Sequence, residues 1–276
     1  MAGSAVSGMT KRIASRENAL FRSLARLASS SRARRAAGAT LLDGPHLVAA
    51  YGASGGTAET LVASESGYAR EEVQRLFDGT PARTRVLLAD RLFHTLAQVT
   101  TPTGVLAVVR TPAERALPRE LETCLFLEGI QDPGNLGSIL RTAVAFGVQH
   151  VFLAKGCVFA WSSKVLRAGQ GAHFFLSIYE TAPLEALADR FPGIVVATDP
   201  RAERSVFEAD LGGSVAWILG AEGAGVSREL AACASVRVRI PMPGPTESLN
   251  VAAAAAICLF EQVRQRGVAG QRAATG

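Results

Sequence analysis

Three short stretches of this chain put a polar residue into a glycine- or proline-bearing loop directly after an apolar run. The first, LEGIQDPGNLGSILR over 127–141, holds Asn135, which could cap a helix, and Arg141, set among apolar neighbours that include Leu140 and Ala143. A guanidinium there is either held in a structural salt bridge or aimed at a phosphate or ribose; the local pattern alone favours the structural role. The second, LGAEGAG over 219–225, spaces its glycines for close backbone approach to a ligand and carries Glu222, either a solvated loop charge or an orienting group. Its order is G-x-x-G-x-G, not the dinucleotide G-x-G-x-x-G, and no acidic residue follows about twenty positions on to hold a ribose. The chain has no G-x-x-x-x-G-K-[ST] phosphate loop either. The third, IPMPGPTESLN over 240–250, is stiffened by Pro241, Pro243 and Pro245 around Gly244. A stiff loop between a strand end and a helix start suits a flat, polar small molecule, because its backbone groups are preset.

Each loop needs a strand before it and a helix after it. Apolar runs predict strands at 124–127, 151–153, 194–198, 215–219 and 236–240. Helical spacing predicts helices near 136–146, 184–191, 228–233 and 249–263. Ser248 is the expected cap of the last helix, which is apolar on every face and so expected to be buried. Strands that are apolar without alternation imply a parallel sheet covered on both faces. Ligands of such sheets sit at the carboxyl ends of the strands, so the three loops are candidate walls of one pocket.

Upstream lies a smaller α/β pattern. Strands are expected at 40–42, 59–62, 85–88 and 104–109, with helices at 45–51, 70–77 and 91–98. The organisation read from this is an N-terminal domain over 1–110, a polar linker with two prolines over 111–120, a second domain over 121–268 and a flexible Gly/Ala/Gln-rich tail over 269–276. Residues 1 to about 12 read as disordered.

The 276 residues carry a formal net charge of +5, which alone points only mildly to a polyanion. Its distribution is sharper. Lys11, Arg12, Arg16, Arg22, Arg26, Arg32, Arg34 and Arg35 crowd residues 11–35 against Glu17 as the sole acid, around Leu20, Phe21, Leu24 and Leu27 at helical spacing. Such a cluster is the usual footprint of nucleic-acid phosphate contacts. Cys124, Cys157, Cys233 and Cys258 show no paired spacing and read as reduced residues of a cytoplasmic protein; no metal site is expected. The first residues lack the apolar segment of a signal peptide, and the apolar run near Val251 is too short to span a bilayer.

Together, DPGNLGSILRTA over 132–143 with Phe146 and Gly147, LGAEGAG over 219–225, and Ile240 to Met242 joined to SLNVA over 248–252 resemble the signature motifs of the SpoU (TrmH-like) RNA ribose 2′-O-methyltransferases of the SPOUT class. The match keeps the family's order and covers roughly 122–265. The first domain resembles, more loosely, the family's small α/β RNA-binding domain, with TPTGVLAVV over 101–109 as its closing strand.

The resemblance implies a parallel-sheet fold with a trefoil knot, an exception to the usual unthreaded connections. It implies S-adenosylmethionine as cofactor, in a pocket lined by Thr198, Leu219, Gly220, Ile240, Met242, Ser248 and Leu249. It implies methyl transfer to a ribose 2′-hydroxyl of RNA, ribosomal RNA ahead of transfer RNA, in a homodimer where Arg141 serves the partner's cofactor. Arg141, Asn135, Glu222 and Asn250 would be the catalytic set, with Arg12, Arg16, Arg22, Arg26, Arg34 and Arg35 gripping RNA. Arginine stays protonated, so Arg141 is expected to act electrostatically and not as a base. A transfer-RNA enzyme and a non-catalytic RNA-binding protein on the same fold are the other readings. One departure stands out: KVLRAGQG over 164–171 has Gly169 where relatives often carry serine, which bears on substrate contacts and not on the reaction class.

Overall fold

The computed structural model describes residues 10–97, 99, 101–112, 116–221 and 223–274, with 268–274 as helical backbone only. Two compact units result: Met1–Ala113 with Trp161–Phe174, and Glu114–Ala160 with Phe175–Gly276.

The first unit runs β1 (Lys11–Ile13), α1 (Ala19–Ser29), α2 (Ser31–Ala37), β2 (Ala39–Asp43), α3 (Pro45–Ala53), β3 (Ala58–Ser64), α4 (Glu65–Tyr68), α5 (Glu71–Gly79), β4 (Ala82–Leu88), α6 (Asp90–Leu96) and β5 (Val105–Arg110). Its sheet has the order β1-β4-β3-β5-β2, parallel from β1 to β3 and antiparallel across β5. The helical spacing in α1 buries Phe21, Leu24 and Leu27, and the Asn18 side chain caps its first turn. One expectation fails here. Lys11 and Arg12 are not disordered, because β1 adds a strand beside β4. The basic segment spans two helices, because Ser30 is extended and caps α2 with its hydroxyl. The expected helix over 91–98 ends at Leu96, and position 98 lies outside the described residues.

The second unit starts with β6 (Cys124–Leu127), α7 (Pro133–Ala145) and β7 (His150–Leu153). After α8 (Ser163–Gly169), which clusters with the first unit, come β8 (Ser177–Tyr179), α9 (Leu184–Asp189), β9 (Ile194–Thr198), β10 (Val215–Leu219), α10 (Arg228–Ala232), β11 (Val236–Val238) and α11 (Val251–Ala274). All six strands pair in parallel, in the order β11-β9-β10-β6-β7-β8. The central strands β6 and β10 are buried along their whole length, as unalternating apolar runs require.

Several local expectations are corrected. Asp132, not Asn135, caps α7, since Pro133 starts the helix and the Asp132 carboxylate accepts from the Asn135 amide at 2.8 Å. β11 ends at Val238, because the Arg239 backbone pairs instead with residues 204–206. β8 and α8 are not among the expected elements. Asn250, not Ser248, caps α11, accepting from the Ala252 and Ala253 amides at 3.0 and 3.3 Å. Nor is α11 buried all round: Ala255, Cys258 and Leu259 face inward while Phe260 is 58% exposed. It runs on to Ala274, through most of the expected flexible tail, whose alanines, glutamine and arginine favour helix. No described helix is long and apolar enough to cross a membrane.

Candidate active site

The carboxyl ends of β9, β10 and β11 open into a cleft of about 740 Å³. Its lining holds Thr198, Leu219, Gly220, Ile240, Met242, Ser248 and Leu249, so the structure gathers all seven residues expected around a cofactor. Thr198 ends β9 and its hydroxyl leans on the Ile218 carbonyl at 3.4 Å. Leu219 ends β10, and Gly220 begins the glycine-rich loop. A Cβ at Gly220 would collide with the Gly225 carbonyl, so only glycine lets the loop fold back on itself. That fold is closed by an antiparallel bridge between Ala221 and Gly225, with an amide-to-carbonyl hydrogen bond of 2.8 Å. Glu222 lies outside the described residues.

A clamp that sequence reasoning missed holds this loop. Glu128 follows β6 directly; its backbone amide donates to the Leu219 carbonyl at 3.0 Å, and its carboxylate accepts from the Ser227 amide at 2.7 Å. The first loop is thereby tied to the far side of the glycine-rich loop. The signal was available: a carboxylate placed immediately after four buried strand residues needs a partner.

The two asparagines meet. Asn250 Nδ2 donates to Asn135 Oδ1 at 2.8 Å, joining the cap of α11 to the first turn of α7. Arg141 takes no part in that hydrogen bond. It lies on the exposed stripe of α7 formed by Gly134, Ser138, Arg141 and Ala145, and it does not line the cleft. Among the described residues its guanidinium has no hydrogen-bond or ion-pair partner, so it is not the salt-bridged structural residue that the local pattern suggested. Packed beside α7, α11 exposes Phe260 and Val263, and Phe260 meets the Phe146 ring edge-on at 6.2 Å.

The expected RNA-gripping arginines belong to the first unit. Arg16 and Arg26 are exposed; Arg12 pairs with Glu65 at 3.1 Å and Arg22 with Glu17 at 3.9 Å, both at the surface where such pairs hold weakly. Arg35 is exposed and has contacts of its own. Arg34 is a correction. It is only 3% exposed, its guanidinium donates to the Ala28 carbonyl at 2.8 Å, and burial lowers its pKa. It fastens α2 to α1 and leaves the phosphate-facing set. Gly169 is buried at the end of α8.

Burial pushes the Cys124 and Cys258 thiols up to about 12, which makes them packing residues. Among the described residues no group of three or more His, Cys, Asp or Glu side chains could hold a metal ion.

Residues 122–260 match the SpoU rRNA Methylase family, and the chain belongs to that family. Among its relatives, an uncharacterized tRNA/rRNA methyltransferase of Synechocystis sp. is 33% identical over 93% of this chain and 95% of its own. The 23S rRNA (guanosine-2′-O-)-methyltransferase RlmB of Bordetella pertussis is 37% identical over 67% of this chain and 79% of its own. Of the solved structures, the SpoU methyltransferase AviRb of Streptomyces viridochromogenes, in complex with the cofactor AdoMet, superposes with a TM-score of 0.81 at 28% identity, over 91% of this chain and 98% of that one.

Proposed function

We infer that this protein is an S-adenosylmethionine-dependent RNA ribose 2′-O-methyltransferase acting on ribosomal RNA in the cytoplasm. The observation that carries the reading is the convergence of two motif loops, 219–225 and 240–250, with the turn after β9 on one cleft at the strand ends, while the first motif loop does not line the cleft and is tied to the other two through Glu128 and Asn135. The lining suits the cofactor: Leu219, Ile240, Met242 and Leu249 offer walls to a purine, and the backbone of the glycine- and proline-rich loops offers fixed hydrogen-bonding groups. When bound, the cofactor supplies a methyl group on a cationic sulfur, already a strong donor.

The chain's own residues then have to place a ribose oxygen and ease its deprotonation. Arg141 grips the phosphate beside the target ribose and stabilises the negative charge that develops on the 2′-oxygen, while that phosphate or a water takes the proton. Asn135 and Asn250, locked together, orient the sugar. Because Arg141 sits on an exposed stripe and does not line its own cleft, a homodimer that sets it over the partner's cleft fits best. The apolar surface of Phe260 and Val263 on the adjoining helix is the natural seam. The exposed arginines of the first unit add sequence-independent grip, so RNA binding weakens steeply with salt.

The test is calorimetric binding of S-adenosylmethionine, followed by methyl transfer to total RNA and mapping of 2′-O-methyl positions in cells with and without the protein. Binding, and a ribosomal-RNA position that loses its methyl, are expected. Tight RNA binding without any methyl transfer would leave a non-catalytic RNA-binding protein. A lost transfer-RNA position would move the substrate.

A further inference from the structure

The cleft is not uniformly apolar. Its β9/β11 side carries two cations, Arg201 just after β9 and Arg237 on the edge strand β11. We propose that Arg201 and Arg237 grip the α-carboxylate of the amino-acid tail of S-adenosylmethionine; the proposal rests on the cofactor reading above.

The two arginines reach the same cleft from separate elements, and the backbone holds them there. Val238 lies in register with Thr198, and the Asp199 amide donates to the Val238 carbonyl at 2.9 Å, pinning the turn after β9 to β11. The Asp199 carboxylate accepts from the Arg201 amide at 2.9 Å and shapes that turn. Among the described residues neither guanidinium has an acidic partner. Arg237 spends one donor on the Ala231 carbonyl at 3.3 Å, which steadies it beside α10 and leaves its other N–H groups free of that bond.

A forked guanidinium matches a carboxylate through two parallel hydrogen bonds, and charge-assisted bonds of this kind are the strong ones. The same lining contains Asp199 and Glu247, the right sign for an ammonium. An α-amino-acid head carries both charges. A run of RNA phosphates carries only the negative one, and the two carboxylates would repel it. The mixed polarity therefore favours the zwitterionic tail over nucleic acid.

Titration calorimetry of the full chain and of the Arg201→Gln/Arg237→Gln double variant separates the cases, using three probes. S-adenosylmethionine and S-adenosylhomocysteine carry the amino-acid tail; 5′-methylthioadenosine keeps the adenine, ribose and sulfur but lacks it. The double variant should bind the two tailed ligands about ten- to hundredfold more weakly and 5′-methylthioadenosine within about twofold of the parent. Equal weakening of all three would mean the arginines only shape the cleft and would overturn the proposal. Unchanged binding of all three, with weaker RNA binding, would assign the arginines to phosphate and overturn it as well. If the parent chain bound none of the three, the cofactor reading itself would fall.

Discussion

The two ends of the parallel sheet in the second unit are built by opposite means. At the carboxyl ends of β9, β10 and β11 the chain is all loop, and its polar groups are left exposed or paired with one another across long sequence distances. Beside the starts of β6 and β10 the polar groups are knitted together around the buried Gln262 and Trp217. Trp217 Nε1 donates to Gln262 Oε1 at 2.9 Å, and Gln262 Nε2 reaches the Thr123 hydroxyl at 3.1 Å and the Gly213 carbonyl at 3.3 Å. Gln265 adds bonds to the Leu211 amide and the Ala209 carbonyl, and Arg266 to Thr123 and Gly213. One helix, α11, spans both ends: Asn250 caps it at the cleft and Gln262 anchors it at the base. A buried network of this kind holds the helix in one position, so the loops at its other end can stay open for ligands without losing their place.

The comparison predicts that changes at the two ends separate rate from stability. The largest effect is expected at Arg141. Arg141→Lys keeps the charge but loses the fork, and single-turnover methylation should fall about 10²–10³-fold, as when a preset donor to a developing oxyanion is lost. Its melting temperature should stay at the parent value, since the side chain is exposed. Near-full methylation by this variant would end the electrostatic role given to Arg141.

At the base, Gln262→Leu leaves the indole N–H of fully buried Trp217 without its acceptor. Stability should drop by about 1–3 kcal/mol, read as a lower urea midpoint. Cofactor affinity measured well below the transition should hardly change. If affinity fell in step with stability, the two ends would not be independent and the division drawn above would be wrong.

Asn250 sits where the two requirements meet, and two substitutions pull them apart. Asn250→Asp keeps the capping oxygen but loses the N–H donated to Asn135; it should be as stable as the parent yet about three- to tenfold slower. Asn250→Ala should also lose about 1 kcal/mol of stability through the missing cap. Equal rates for the aspartate variant and the parent would show that the Asn135 contact does not matter to the reaction.

The site end was far easier to read in the sequence than the base. Glycines and prolines at strand ends announce loops, and the apolar runs before them announce a parallel sheet, so β6, β9 and β10 fall where expected. The partners across the site were not legible. Nothing local ties Glu128 to Ser227 or Asn250 to Asn135, since each pair is joined only by the fold. The base inverts the usual rule. Hydropathy assigns Phe260 to the core and Glu261 and Gln262 to the surface, yet Phe260 is exposed while Glu261 and Gln262 are 3% and 1% exposed. Their burial depends on hydrogen bonds to Trp217, Thr123 and Arg264, which periodicity does not encode. Arg34 was missed for a similar reason, because a guanidinium that ties two helices together reads the same in sequence as one that faces RNA.

The smallest expected effect concerns pH, and it again divides the two ends. The Glu261 carboxylate accepts from Nε and Nη2 of Arg264, each at 2.7 Å, and from the Gln265 side-chain amide at 2.8 Å. The Arg264 hydrogen bond first, and Gln265 after it, hold its pKa below the ordinary value of 4.5. A carboxyl depressed in the folded state adds stability that is fully present above its unfolded pKa and is lost as pH falls through the folded one. Glu261→Gln lacks that charge, so its urea midpoint should lie below the parent's at neutral pH, and the gap should close as the solution is acidified through the carboxylate range. Arg264 is half exposed, which keeps the gap small. A gap of constant size at every pH would show that the lost contact is steric and not ionic. The charge at Glu261 would then play no part in anchoring α11, and the base would hold the helix through its neutral hydrogen bonds alone.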